Sequence, residues 1–418
     1  MTAPHARGAC PCLAEPMQTG DGLLARLVTA GPIPLDAFSD LCAAAEEHGN
    51  GMMEVSARDS LQVRGLTPRS APLFASAVAE LDIEFCDRVP VISSSLPHDP
   101  TALIDADALA SALRRAIATQ ALVLAPKISV VIDGGGRLHL DALTADLRLS
   151  AMETAEGIKL YVALAGDAAS ATPLCLVAPE AAVTAAISVL ALIASRGASA
   201  RAAGLLRSEG IDIFRAAVRP RMATATALPS RQRAEPIGLH RLSGGQRAIG
   251  VALAFGQASA GNLMALARLA RANGATWARP APARALLLGP IDEMTGFVLA
   301  TAADDLGFVV DARDPRRRIV ACPGAPACAW GLIAARPLAA ELAEHLPLSG
   351  DDIAVHVSGC AKGCAYPGLA PLTVIGTAGG CGVVHNGTAR ARPQRYVDPA
   401  DLVDEVLPAP QPREAVDA

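Results

Sequence analysis

Cys322-Pro-Gly-Ala-Pro-Ala-Cys328, a helix-like interval, and then Cys360-Ala-Lys-Gly-Cys364 form the stretch around which this chain is organised. Four thiols on two loops are the donor set that a [4Fe–4S] cluster takes. Gly and Pro in both loops keep the backbone out of regular structure and leave N–H groups that can turn toward sulfur. Structural zinc is one alternative, but its cysteines usually stand about two to four residues apart, and the first pair here encloses five. Thiols that are simply buried small residues are the other alternative. The cluster reading is the strongest of the three.

A chain of 418 residues suits two to four domains at roughly 150 residues each. Aromatic residues make up only 3% of it, so ring stacking has little to work with, and a net charge of −5 gives no sign of a nucleic-acid binder. Only Lys127, Lys159 and Lys362 are lysines among 36 basic residues, so a lysine is the more informative cation. No basic region followed by an apolar run opens the chain, which argues against a signal peptide. The apolar segment 181–195 is shorter than the ~20 residues of a membrane span and reads as a buried helix between Pro179 and Gly197. Ten cysteines without disulfide-like spacing fit a reducing cytoplasm.

Read in order, Cys10 and Cys12 lie in a Pro-rich arm. A strand at Leu23–Val28 precedes a helix from Asp36, as N-cap, to Gly49, and 51–65 reads as two short strands about a turn. The unit recurs: strands within 239–251, a helix capped by Ser259 and ended by Asn273-Gly274, then Trp277–Gly289 parallel to Met53–Gly65. Ile128–Asp133 before Gly134-Gly135-Gly136 likewise resembles Ile353–Ser358 before Gly359-Cys360. Two copies indicate an internal duplication rather than a solenoid. The expected class is α+β with two pseudo-symmetric halves. The expected domains are 1–95 and 226–300 as half-domains, 96–225 without cluster cysteines, 301–405 with them, and 406–418 as a tail.

Two motifs mislead. Leu242-Ser243-Gly244-Gly245-Gln246 copies an ABC-type ATPase signature, but no phosphate loop ending in Gly-Lys-Ser/Thr accompanies it, so it reads as a hairpin turn. Gly134-Gly135-Gly136 follows a strand as a dinucleotide loop would, yet Arg137-Leu138-His139-Leu140 alternates like another strand and presents no helix N-terminus. Without a nicotinamide or flavin site, electrons are expected from another protein.

Cys-x5-Cys followed distantly by Cys-x3-Cys resembles the cluster pattern of the sirohaem-dependent sulfite and nitrite reductases. Within that superfamily the chain is most similar to the precorrin-3B synthase family. The supporting stretches run from Arg7-Gly8-Ala9-Cys10-Pro11 and Thr19–Leu24 through His48-Gly49-Asn50-Gly51, Leu61-Gln62-Val63-Arg64-Gly65, Pro126-Lys127 and Val130–Gly136 to Gly324–Cys328 and His356–Cys364. The resemblance implies halves that each pair a ferredoxin-like half-domain with a reductase-like α/β domain. It implies an oxygen-dependent hydroxylation of precorrin-3A, a polycarboxylate tetrapyrrole, at a meso carbon with lactone formation, in aerobic cobalamin biosynthesis.

By the same resemblance, Cys322, Cys328, Cys360 and Cys364 hold the [4Fe–4S] cluster, with Cys364 at the position that bridges to haem iron in the reductases. Arg58, Gln62, Arg64, Lys127, Lys362 and Asn386 are the implied substrate contacts. Arginine suits carboxylates because its planar donors grip them in pairs, and since one exposed pair contributes only ~0.2–1 kcal/mol, several must converge. Each of these charges also has a plain reading as a solvated surface group, and Asn386 as a turn residue. The family implies dioxygen, NAD(P)H-derived electrons through a partner, and a non-haem iron besides the cluster. No His-x-Asp/Glu pair with a distant His makes a defensible facial triad, so that iron's ligands and the catalytic residues stay unassigned.

Ser129 stands where the reductases carry a second lysine, and Pro90–Ser94 where they tend to have Arg-Asn, although Arg88 is close by. Both losses weaken a sirohaem-dependent reductase reading, which stays open beside a non-catalytic iron–sulfur carrier of tetrapyrroles or electrons.

Overall fold

The computed structural model describes residues 11–86, 89, 91–218, 228–346 and 353–406; Cys10, Arg88 and residues 407–418 of the expected tail lie outside them. The first half runs β1 (Met17–Thr19), β2 (Gly22–Leu27), β3 (Ile33–Pro34), α1 (Leu35–His48), β4 (Met52–Val55), β5 (Leu61–Leu66), α2 (Ser70–Ala79), β6 (Val91–Ser93), α3 (Ala106–Thr119), β7 (Val130–Asp133), β8 (Ala145–Thr154), β9 (Gly157–Gly166), β10 (Thr172–Val177), α4 (Ala182–Ser195), α5 (Ala202–Glu209) and α6 (Asp212–Val218). The second runs β11 (Gly238–Arg241), β12 (Arg247–Ala252), β13 (Gln257–Ser259), α7 (Ala260–Ala272), β14 (Trp277–Ala281), β15 (Ala285–Ile291), α8 (Glu293–Asp305), β16 (Ile319–Ala321), α9 (Ala335–Glu344), β17 (Val355–Ser358), β18 (Ala370–Thr377), β19 (Gly380–Gly387), β20 (Arg395–Val397) and α10 (Leu402–Val406).

Each half contributes one antiparallel and one mixed sheet, as the expected α+β duplication requires. The antiparallel sheets are ordered β1-β2-β5-β4-β13 and β11-β12-β15-β14-β3, the mixed ones β10-β9-β8-β7-β6 and β16-β17-β18-β19-β20. In both mixed sheets the first three strands in chain order are parallel and the last two antiparallel. The ladders pair Met53 with Val63 and Ala278 with Leu288, so the repeat register is one residue from the match of Met53 to Trp277.

The antiparallel sheets exchange strands. β13 closes the first sheet on Met52–Glu54 of β4, and β3 closes the second on Trp277 and Ala278 of β14. The helices that follow, α1 and α7, bury Phe38, Leu41, Leu263 and Leu266 in one apolar core. Ser259 caps α7 as expected, its hydroxyl accepting from the Asn262 N–H at 3.1 Å. Asp36 does not cap α1: the helix starts at Leu35 after Pro34, whose fixed φ suits the entry, and Asp36 sits in the first turn. α4 begins after a 3₁₀ turn at Pro179–Ala181, and Ser243–Gly245 forms the turn between β11 and β12. The strand expected at Arg137–Leu140 is a loop, because β7 ends at Asp133 and its neighbour in the sheet is the parallel strand β8. No helix among the described residues is long and apolar enough to cross a membrane.

A shared core makes Leu263→Ala a global lesion. It is expected to remove about 2–5 kcal/mol of stability and to move a single denaturant transition, seen alike by circular dichroism and by Trp277 fluorescence. Two separate transitions would mean that the antiparallel sheets fold independently.

Candidate functional site

Parallel strands deliver the thiols. Cys322 follows β16 directly and Cys360 stands two residues beyond β17, so both loops leave the carboxyl edge of one sheet. The Gly359 N–H donates to Cys322 Sγ at 3.0 Å, and the loops interlock through Leu332 N–H to the Gly359 carbonyl and Cys328 N–H to the Gly324 carbonyl, each 2.7 Å. A Cβ on Gly359 would stand 2.9 Å from Gly324 Cα, so this approach requires glycine. Burial pushes the Cys322 thiol up; the N–H groups of Gly359 and Gly324 oppose it, and the charges of Cys328 and Cys360 add to it. Four thiols on two interlocked loops, with the Gly359 N–H turned to one sulfur, form a donor set of the kind that metal centres use. Cys364 is exposed and the other three are half-buried.

The first half seats this loop. Gly20 donates its N–H to the Ala327 carbonyl at 3.2 Å, and a Cβ there would stand 2.2 Å from the Pro326 oxygen. Arg64, 4% exposed, donates to both Asp21 carboxylate oxygens at 2.9 Å and to the Ala327 carbonyl at 2.6 Å. Its Nη1 lies 3.5 Å from Glu54, which also pairs with Arg336 of α9 at 2.8 Å. Burial raises the Asp21 carboxyl, but the hydrogen bonds and charge of Arg64 overcome this and hold it below its usual range. Arg64 is thus engaged by the protein and joins the first half to the cluster loop.

The other implied contacts meet protein groups or solvent. Arg58, on the β4–β5 turn, donates from Nη1 to the Thr144 carbonyl at 2.7 Å, while its buried Nη2 has no partner and burial depresses its pKa. With its amide oriented to satisfy both neighbours, Gln62 donates to Glu54 at 3.0 Å and accepts from Arg26 at 3.2 Å. Lys127 is exposed in the turn before β7. Lys362 Nζ sits 3.5 Å from the Trp330 ring centroid, a cation–π contact at the cluster loop. Asn386 is exposed near the end of β19 with φ +49°, a left-handed conformation that Asn tolerates.

A cavity of about 840 Å³ opens between the halves, and none of these six residues lines it. Its walls come from Leu138–Leu143, the connecting segment 228–236, Ala252–Phe255, Ala281–Arg284, Arg316-Arg317, and Ala365-Tyr366 beside Cys364. Sequence reading missed Arg284, in the second-half counterpart of the Arg58 turn; burial foremost, and then Arg336, depress its pKa. It also missed Asp59, next to Arg58, which takes φ +62° and whose carboxyl burial pushes up to about 7 against the charges of Arg279, Arg58 and Arg114. The duplication was the signal that could have found Arg284. Behind Tyr366, His356 is fully buried on β17 with neither ring nitrogen hydrogen-bonded, and meets the Tyr366 ring edge-on at 5.8 Å.

Comparison with known proteins agrees with this architecture. The chain is 38% identical over 397 residues to a precorrin-3B synthase of Sinorhizobium sp., covering 94% of this chain and 85% of that one. It is 28% identical over 189 residues to the sulfite reductase [ferredoxin] of Mycobacterium tuberculosis, covering 42% and 34% respectively. The solved structure of the Mycobacterium tuberculosis NirA protein superposes with a TM-score of 0.76 at 20% identity, covering 91% of this chain and 79% of that one. No protein-family model matches the chain.

Arg64→Ala removes the guanidinium partner of Asp21 at a buried junction, leaving Glu54 to Arg336, and is expected to cost about 3–5 kcal/mol, read as a lowered unfolding midpoint. His356 supplies a pH test. Burial lowers its pKa to about 4, so the unfolded chain takes up this proton first; the stability is fully present above about pH 6.5 and declines toward pH 4. The difference in unfolding free energy between the protein and His356→Leu is expected to change by up to about 1.4 kcal/mol per pH unit in that window. A pH-independent difference would contradict the assignment.

Proposed function

We propose a reaction on one premise: this chain belongs to the precorrin-3B synthase family, which it matches over nearly its whole length. It hydroxylates precorrin-3A at a meso carbon using dioxygen, with lactone formation, as a monooxygenase of aerobic cobalamin biosynthesis in the cytoplasm. The near-complete match carries this reading. Cys322, Cys328, Cys360 and Cys364 hold a [4Fe–4S] cluster that supplies one-electron chemistry, and a separate donor protein provides the electrons.

The cavity suits such a substrate. A polycarboxylate macrocycle needs several charged donors around an otherwise apolar wall; Arg284 and Arg233 face the cavity among Leu, Ala and Pro residues, beside Arg231, Arg316 and Arg317, which would have to exchange their own carboxylate partners for the substrate's. Arg58 and Lys362 would then act at the rim of the binding region. At the position where the reductases carry a second lysine, the Ser129 N–H donates to Asp146, which Arg201 grips at 2.7 and 2.8 Å. Ser129 brings no positive charge to that position, and the nearby Arg201 is already held by Asp146, which favours the oxygenase over the reductase.

Incubation of the cluster-loaded protein with precorrin-3A, a reductant and ¹⁸O₂ is expected to give the hydroxylactone carrying one labelled oxygen. Full turnover without oxygen would overturn the reading, and sirohaem in acid–acetone extracts together with sulfite reduction would replace it. Binding without turnover would leave a carrier. Cys328→Ser is expected to abolish both the cluster absorption and the activity, and Arg284→Ala to weaken substrate binding roughly 10–100-fold.

A further inference from the structure

The arginines on the cavity wall are not equivalent. Arg231 pairs with Asp133 and Asp141, Arg316 with Asp314, and Arg317 with Glu235. Arg284 makes no hydrogen bond or ion pair through its side chain with the described residues. The carboxylate whose charge reaches it, Glu54, is already shared by Arg336 at 2.8 Å and Arg64 at 3.5 Å. A half-buried guanidinium without a partner bears a desolvation cost that an arriving anion removes.

The backbone at Arg284 belongs to the repeated frame, and its charge does not. Val55 pairs with Leu61 across the first turn and Pro280 with Leu286 across the second, so the turns are equally long and Arg284 is the equivalent of Asp59. Both residues are left-handed, at φ +65° and +62°. The turns touch where the Ala283 N–H meets the Ala57 carbonyl at 3.4 Å, and both alanines face the cavity. The conformation therefore comes with the duplicated scaffold, while a cation at this place belongs to the second half alone.

A ledge fitted to that cation lies beneath it. After β12 the chain turns at Ala254–Gly256, with Phe255 at φ +53° and Gly256 at φ +79°. The Leu253 N–H donates to the Arg284 carbonyl at 3.0 Å and the Gly256 N–H to the Leu253 carbonyl at 2.8 Å, which ties the ledge to the Arg284 backbone. The Arg284 side chain then crosses the bare Cα of Gly256: a Cβ there would stand 2.7 Å from Arg284 Cδ and 3.2 Å from its Nε. Leu253, Ala254 and Phe255 line the cavity, and Gly256 stands behind them. A long side chain held in one course before the ligand arrives loses less entropy on binding.

We propose that Arg284 is the anchor for a ligand carboxylate in this cavity, and that Gly256 is the positioning residue that aims it. The proposal rests on the reading of the cavity as a polycarboxylate tetrapyrrole site and deepens it by ranking the cations there. Arg284 bonds a carboxylate without giving up a partner, whereas Arg231, Arg316 and Arg317 must each release one first. The paired arginines therefore add little to affinity, and the unpaired one carries most of the charge recognition.

Uroporphyrin, a stable polycarboxylate tetrapyrrole, is the probe, with binding to the anaerobic, cluster-loaded protein read by quenching of its fluorescence. Arg284→Ala is expected to weaken binding about 10–100-fold, and Arg316→Ala or Arg317→Ala less than about fivefold. Gly256→Asn tolerates the left-handed backbone but adds a Cβ, and is expected to weaken binding about 10-fold by displacing the Arg284 side chain. Combined with Arg284→Ala it is expected to add no further loss, because both changes act on one group; a purely structural role for Gly256 would make the losses add. A check on the unaltered protein does not depend on how the variants fold: phenylglyoxal labelling, mapped by peptide mass, is expected to reach Arg284 before Arg316 and Arg317 and to be blocked there by bound uroporphyrin. No saturable uroporphyrin binding, unchanged affinity in Arg284→Ala, equal losses in the three arginine variants, additive losses with Gly256→Asn, or slow labelling of Arg284 would each overturn the proposal. No readout involves oxygen or turnover, so failure of the anchor is separate from failure of the proposed reaction.

Discussion

The reciprocal exchange of β3 and β13 is the constraint on which the rest of the molecule depends. Each exchanged strand satisfies the edge of the other half's sheet, and each leads directly into a helix of the shared core. An edge strand left without its partner exposes a row of unpaired backbone groups, so both exchanges must form together. The relative orientation of the halves follows from this, and with it the positions of loops that meet far from the exchange.

Those loops leave the carboxyl edges of the mixed sheets and press against the opposite half. Ala327 receives hydrogen bonds from Gly20 and Arg64, and in the pseudo-symmetric place the His98 carbonyl receives the Ser243 N–H at 2.9 Å. The two contacts differ in strength. Arg64 adds a buried ion-pair chain through Asp21 and Glu54 to Arg336, which stiffens the cluster side. A charge buried in such a chain is held by its partners and is not available to a ligand, which is why a basic residue at a family motif can be architectural.

Duplication gave two similar scaffolds and divergence gave their equivalent loops different side chains. In the second half the loop after the central parallel strand carries thiols; in the first it carries His139 and Asp141 behind the carboxylate of Asp133. Both loops have the same length, so the side chains changed while the frame stayed. The cavity lies where these loops and the connecting segment come together, and its polar character comes mainly from arginine, whose donors remain charged even when half-buried.

The cysteine pattern, the duplicated layout, the Ser259 cap and the apolar faces of α1 and α7 were all legible in the sequence, because each is a local signal of spacing or periodicity. Alternation in Arg137–Leu140 suggested a strand, since periodicity reports which residues share a face but not whether a neighbouring strand is there to pair with them. The exchanged strands, two and three residues long, are too short to leave any pattern. Arg64 and Gln62 read as substrate contacts and turned out to face protein groups, because their partners lie elsewhere along the chain and only folding sets those distances. Asp133, His139 and Asp141 come together only in the fold, where Arg231 of the connecting segment pairs both carboxylates. The sequence by itself determined the spacing of the four cysteines, the fold class and the two-half plan, through local chemistry and repetition. Tertiary structure alone decided which charges are paired, where the cavity opens and which loop residues share a site, because these depend on the docking of one half against the other.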